Sequence, residues 1–256
     1  MIFDTHAHYD DKAFDDDRDS LLSGLRDNGI GYVVNVTASM KDISTTIDLA
    51  HRYDHIYASV GVHPSEVGNL TEEDMDIIKE RSSDKKVVAI GEIGLDYHYP
   101  DDPSADIQKK WFSRQIELAK EVGLPLIIHS RDAAKDTFDI MKENNAEEAG
   151  GVIHCYSYSP EMAKEYVKLG YYIGVGGVVT FKNSRKLKET VEAIPIERIL
   201  LETDCPYLAP SPHRGERNSS LYIPYIIEEI AALKGISKTE VEEITFENAK
   251  RLYGVG

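Results

Sequence analysis

Short apolar runs rich in β-branched residues alternate along this chain with longer stretches whose apolar positions recur at spacings of three and four. Runs of the first kind suit buried strands, and stretches of the second kind suit amphipathic helices. Read this way, the pattern predicts strands near residues 2–5, 32–35, 56–60, 87–91, 126–128, 152–153, 172–175 and 199–203. Helices are predicted between them, near 16–28, 43–53, 71–82, 105–122, 133–144, 160–169 and 184–193, with two more near 220–234 and 239–253 closing the chain. About eight strands, each followed by a helix, is the pattern of an α/β (β/α)₈ TIM barrel, with an open doubly wound sheet as the alternative. No Pro/Ser-rich linker, charge block or internal repeat divides the sequence, so one domain over 1–256 is expected. Two polar, proline-bearing segments, 97–106 and 206–219, are expected as loops at the mouth of the barrel.

Composition changes this picture little. With 41% hydrophobic and 29% charged residues, and no apolar stretch near the roughly 20 residues a bilayer span needs, no contact with a membrane is expected. The chain opens directly on a strand pattern instead of a basic segment followed by an apolar one. Its two cysteines, Cys155 and Cys205, give no disulfide framework. Both features point to a cytoplasmic location. Charge matters more, because a formal net charge of −16 argues against a broad basic surface for holding nucleic acid. A phosphate-bearing substrate stays open, since bound divalent ions would make a pocket locally positive.

The chemistry lies where the apolar runs stop. The first ends in His6-Ala7-His8, and residues two apart on a strand share a face, so both imidazoles aim at one point. Later runs end in Glu92, His129, His154 and Asp204. A lone strand-end histidine is usually a hydrogen-bonded rim residue, and a lone aspartate usually a helix cap. Six such residues in register at the C-terminal ends of barrel strands instead converge on one mouth. Four imidazoles and two carboxylates are too many for one tetrahedral site, so two divalent ions are expected, with zinc, manganese, magnesium, nickel and cobalt not distinguished. Glu92 is the natural bridge, His6 and His8 the ligands of one ion, His129 and His154 those of the other. Asp204 would bind the first ion and act as general base, Glu92 and Asp204 together forming the catalytic pair. Two ions about 3.5–4 Å apart supply a nucleophile near neutral pH and stabilise the entering and leaving oxygens of an in-line displacement.

These residues resemble a known family. Ile2-Phe3-Asp4-Thr5-His6-Ala7-His8-Tyr9-Asp10, Pro125-Leu126-Ile127-Ile128-His129-Ser130-Arg131 and Ile199-Leu200-Leu201-Glu202-Thr203-Asp204-Cys205-Pro206 are similar to motifs of the TatD-type metal-dependent deoxyribonucleases, within the amidohydrolase-like barrel superfamily. Gly91-Glu92-Ile93-Gly94-Leu95-Asp96-Tyr97 and Gly61-Val62-His63-Pro64 match as well. The resemblance implies a (β/α)₈ barrel, a two-metal site at His6, His8, Glu92, His129, His154 and Asp204, and hydrolysis of DNA phosphodiesters, in many members from the 3′ end. The chain departs from the family after the sixth strand, where His154-Cys155-Tyr156-Ser157-Tyr158 replaces His-Cys-Phe-Ser/Thr-Gly. It departs again near Pro212-His213-Arg214-Gly215, where Glu216 and Ser220 stand in place of a usual lysine and proline. Glu216 removes a positive charge that a long strand would use.

Around the ligands, Arg131 is expected to fork onto a phosphate, with a rim salt bridge as the alternative. His63 is expected either to contact a phosphate oxygen or leaving group or to brace the loop before Pro64. Tyr97, Tyr99 and Tyr156 are candidates for stacking on terminal bases, or for loop packing. Cys155 is expected as a small buried residue facing away from His154. Alternation places Asp4 and Glu202 one layer beneath the ligands, where one or the other is expected to accept from a second ring nitrogen, with a buried ion pair as the alternative. The expected substrate is single-stranded DNA or frayed 3′ ends. Hydrolysis of an amide, lactone or aminoacyl ester on the same site is the alternative. The usual carboxylated lysine of binuclear amidohydrolases has Glu92 in its place.

Overall fold

The computed structural model describes residues 1–256 and is a (β/α)₈ barrel. Its strands are β1 (Ile2–Ala7), β2 (Ile30–Asn35), β3 (Ile56–Val60), β4 (Val87–Asp96), β5 (Leu126–Arg131), β6 (Gly151–Ile153), β7 (Tyr172–Val175) and β8 (Ile199–Leu201). Each is parallel to the next and the spatial order follows the sequence, as short right-handed crossovers require. The helices between them are α1 (Arg18–Gly24), α2 (Ile43–Arg52), α3 (Glu72–Arg81), α4 (Ala105–Val122), α5 (Ala134–Glu143), α6 (Pro160–Lys168) and α7 (Arg185–Ala193), followed by α8 (Ile223–Lys234) and α9 (Lys238–Tyr253). The last β-to-β contact closes through few bonds. Ala7 bridges Cys205, the Asp204 N–H donates to the His6 carbonyl at 2.9 Å, and the His8 N–H donates to the Cys205 carbonyl at 2.9 Å. That seam sets His6, His8 and Asp204 side by side.

Period-two alternation divides the apolar residues between two cores. Phe3, Val34, Val88, Ile127, Val152 and Leu200 fill the barrel interior, which Ala249 and Tyr253 of α9 close from below. Ile2, Val33, Val87, Leu126, Ile153 and Ile199, their neighbours along the chain, pack outward under the helices. The interior residues stand two positions before His129 on β5 and before His154 and Glu202 just beyond β6 and β8, so the chemistry rises out of a packed floor.

Among the differences from expectation, two stand out. β4 runs to Asp96, five residues beyond the predicted end at 91, because it pairs with β5 as far as Asp96 opposite Arg131. Gly94 makes this possible: its φ is +142° and a Cβ there would overlap the His129 carbonyl, so only glycine lets the strands stay in contact. The helix expected at 16–28 is instead α1 followed by a 3₁₀ turn, Arg26–Asn28. A smaller shift lies inside β1, whose register against β2 advances three residues for two between Asp4 and Ala7. This bulge changes the parity of the strand, letting Phe3 point into the floor and His6 into the site above it.

Candidate metal centre

The six residues expected at strand ends come together at the mouth, where all but the buried His6 line a cleft of about 1060 Å³. They form two overlapping triads, His6–His8–Glu92 and Glu92–His129–His154, and Glu92 is common to both. Its Oε2 lies 3.4 Å from His6 Nε2, while its Oε1 lies 2.9 Å from His129 Nδ1, 3.7 Å from His154 Nε2 and 4.0 Å from His63 Nε2. Asp204 Oδ1 completes the ring, 3.4 Å from His8 Nε2 and 3.8 Å from Nε2 of both His6 and His154. The His6 and His154 rings stack at 3.5 Å between centroids.

Outer contacts decide which nitrogen faces inward. His8 Nδ1 is 2.9 Å from the Val36 carbonyl, and His154 Nδ1 is 3.1 Å from Glu202 Oε2. Each partner accepts, so each Nδ1 donates, and in the neutral rings the Nε2 atoms are left as lone pairs. Those lone pairs face each other's acceptors: His8 Nε2 looks at His6 Nε2 3.1 Å away and at Asp204, and His154 Nε2 looks at both carboxylates. A proton or a cation between them satisfies such a ring, and its imidazole nitrogens and carboxylate oxygens together make a mixed donor set. The residues therefore fit a divalent metal with mixed nitrogen and oxygen ligands.

The electrostatics agree. Burial alone would raise the Glu92 carboxyl, but the charges of His6 and His154 and the hydrogen bonds of His129 and His6 hold it well below the usual range. Asp204 is likewise lowered, the His8 contact and neighbouring imidazoles outweighing burial. Burial opposes charge on His8 and His129 too, yet Asp204 pushes His8 up to about 9, and Asp96 with Glu92 pushes His129 up to about 9. The pocket holds two anions and draws positive charge to the rings around them.

Other candidates fall on both sides of their expected roles. Arg131 lines the cleft, donates from Nη1 to Tyr99 Oη at 3.2 Å and has no carboxylate partner. His63 both lines the cleft and braces its loop, since Nδ1 accepts the Ser65 N–H at 3.2 Å. That bond places the neutral ring's proton on Nε2, facing Glu92. Burial and the charge of His129 hold the ring neutral, its pKa lowered to about 4. Glu202 accepts from His154 as expected. Asp4 does not serve a histidine ring: with the parity of β1 changed, its carboxylate accepts from Thr203 Oγ1 at 2.8 Å and Ser220 Oγ at 2.6 Å, tying β1 to the loop after β8.

Three residues are corrected outright. Tyr156 is only 2% exposed and donates to the Ser159 carbonyl at 2.6 Å, so it packs in the core and offers no face to a substrate. Tyr97 is half-buried, its hydroxyl held by Asp136 at 2.9 Å. Cys155 does not face away: its φ of +45° breaks the strand alternation, and the residue lines the cleft near His154 and Asp204. Burial and the nearby carboxylates push its thiol well up. Glu216 lies off the cleft, engaged by His213 at 2.9 Å.

The residue that sequence reasoning missed is Asp96, buried on the Glu92 face of β4, with Oδ2 3.0 Å from His129 Nε2. Period two from Glu92 points to it, but only if the strand continues past Gly91. Gln108 of α4 clamps its backbone, accepting the Asp96 N–H and donating to its carbonyl, both at 2.8 Å.

The Glu202 contact gives a direct test. Glu202→Gln removes the carboxylate that orients His154 while leaving the inner ring of ligands intact. Metal affinity is expected to fall about 10–100-fold, read by competition with a chromophoric chelator. An unchanged affinity would show that packing alone orients His154.

Imidazoles and carboxylates gathered at the C-terminal ends of barrel strands are the donor set of a metal-dependent hydrolase. The chain belongs to the TatD-related DNase family, whose model matches residues 3–254. It is 47% identical over 255 residues, covering all of both chains, to YabD of Bacillus subtilis (strain 168), an uncharacterized metal-dependent hydrolase. It is 30% identical to the 3'-5' ssDNA/RNA exonuclease TatD of Cronobacter sakazakii, over 98% of this chain and 97% of the relative. Among solved structures, YjjV, a TatD homolog from Escherichia coli K12, superposes with a TM-score of 0.92 at 30% identity, covering 100% of this chain and 98% of the other.

Proposed function

We propose that the protein is a 3′→5′ exodeoxyribonuclease that trims single-stranded or frayed DNA ends with two divalent ions held by the two triads. The single observation that carries the reading is the position of Glu92, one carboxylate shared by two imidazole pairs beneath an unpaired Arg131. His6 and His8 would hold one ion, His129 and His154 the other, with Glu92 between them. Bound there, the ions supply a nucleophile near neutral pH and neutralise charge on the phosphate oxygens. Asp204, held ionised, takes the proton of the attacking water at Oδ1. Arg131 binds a non-bridging phosphate oxygen with its guanidinium, and His63 orients the phosphate through Nε2–H. Asp96 fixes the His129 ring. The Cronobacter relative's name, with its single-stranded DNA and 3′–5′ direction, supports the substrate class.

Lys12 and Arg131 are the two Lys/Arg side chains lining the cleft, and neither is ion-paired. With about two phosphates neutralised, kcat/KM should fall with salt at a log–log slope of about −1.4, shallow for a nuclease. The acyl-hydrolase reading draws on the opposite feature, three further carboxylates on the wall, Asp10, Asp11 and Asp42, which suit a cationic amine. The test offers metal-loaded enzyme a 5′-labelled single strand, a closed circle of the same sequence, and a panel of lactones, amides and aminoacyl esters. A one-nucleotide ladder from the 3′ end with the circle intact is expected. Rapid cutting of the circle rejects the exonuclease mode, and turnover confined to the acyl compounds rejects the nuclease.

A further inference from the structure

Tyr207 and Leu208 follow Asp204 by three and four residues, line the cleft, and are 56% and 38% exposed. Tyr99 lines it from the loop after β4 and is 53% exposed. β4 and β8 are four strands apart in a ring of eight, so the loops that carry these side chains stand on opposite sides of the mouth. Each is fixed in place. Tyr207 donates its hydroxyl to Asp11 Oδ2 at 3.1 Å and its N–H to the Asp204 carbonyl at 2.9 Å, and its own carbonyl accepts from Asn218 Nδ2 at 2.8 Å. Leu208 has a φ of +55°, a conformation a leucine rarely adopts, and its carbonyl packs against Gly177, where any Cβ would overlap it. The Arg131 guanidinium carbon sits 5.1 Å from the centre of the Tyr99 ring. The backbone is thus built to hold apolar surface out over the metal-ligand floor.

We infer that Tyr99 on one rim and the Tyr207–Leu208 step on the other are base-stacking platforms that hold the two nucleobases flanking the scissile phosphodiester. The inference rests on the nuclease reading and adds how the strand is gripped. A chain at −16, with Lys12 and Arg131 as the Lys/Arg of its cleft, gains little from phosphate neutralisation. Base stacking on aromatic rings is the other general source of affinity for single strands, and it tolerates any sequence. It also favours ends whose bases are already unpaired.

The experiment compares an ordinary oligonucleotide with one whose last two residues are abasic, so that the phosphates are kept and the bases removed. Tyr207→Ala and Leu208→Gly should each lower kcat/KM on the ordinary strand about tenfold and on the abasic strand less than twofold. Tyr207→Phe, which keeps the ring and loses the Asp11 bond, should restore the ordinary value. A second readout needs no turnover: chelator-treated wild type should quench a 3′-terminal 2-aminopurine strand on binding, and Tyr207→Ala should not. Equal losses on both strands, or a Tyr207→Phe as poor as Tyr207→Ala, would overturn the platforms and leave a bracing role for the loop. If wild type cleaves no oligonucleotide, the nuclease reading itself fails, an outcome separate from cleavage that is indifferent to the bases.

Discussion

Asp204→Asn protein should keep its metals and lose about 10³-fold in kcat. The amide preserves shape and one ligating oxygen. What it removes is the carboxylate that takes up a proton, and general-base catalysis contributes typically about 10²–10⁴-fold. Asp204 suits that part because His8, His6 and His154 surround it and keep it ionised despite burial. Steady-state kinetics on a labelled single strand, run beside elemental analysis of the same preparation, separate the proton-transfer role from ligation. Near-normal kcat with full metal content would move the base elsewhere. Lost metal with lost kcat would make Asp204 a ligand first.

Glu92→Ala should do more damage than loss of any one histidine. Both carboxylate oxygens are engaged, Oε2 toward His6 and Oε1 toward His129, so a single change empties the centre of both triads. The metal content is expected to fall from two ions per chain to fewer than one, and kcat/KM by about 10⁴-fold or more. His6→Ala, by contrast, leaves the Glu92–His129–His154 triad complete and should lower occupancy by about one ion. Similar metal loss in the two variants would mean that Glu92 serves only one side.

These expectations rest on residues whose grouping is legible in the sequence. A buried strand reads as an apolar run, and when the run stops at His, Glu or Asp the stopping residue sits at the barrel mouth. That rule finds His6, His8, Glu92, His129, His154 and Asp204 because each follows a run that packs the floor or the outer core. It fails where the backbone departs from strict alternation. The β1 bulge put Asp4 against Thr203 and Ser220 instead of under the histidines. The positive φ at Cys155 turned the thiol toward the cleft, and Tyr156 lies in the core. Asp96 was hidden by two glycines that read as a strand end, though Gly94 is there to keep β4 and β5 in contact. The Tyr207–Leu208 platform carries no periodic signal, since its direction is set by one residue at φ +55° and the packing of its carbonyl on Gly177.

The departures from family pattern take a different weight once placed. Glu216 sits outside the cleft, bonded to His213 and to the Tyr222 hydroxyl at 3.2 Å, so the charge it changes is not beside the scissile phosphate. The anionic wall of Asp10, Asp11 and Asp42 does lie inside. Asp10 is held there by Asn35 Nδ2 at 2.8 Å. Opposite that wall stand Arg131 and Tyr99. Repulsion of phosphates by that wall limits the grip to a short terminal segment.

The central claim is that two divalent ions share Glu92. Chelator-stripped protein titrated with Mn²⁺ and followed by electron paramagnetic resonance tests it most directly, because two Mn²⁺ ions bridged at about 3.5–4 Å are spin-coupled and single ions are not. Two Mn²⁺ per chain are expected, with a coupled signal that grows as the second site fills and hydrolysis returning in step with it. Full activity in the stripped protein, or with one uncoupled ion per chain, would contradict it.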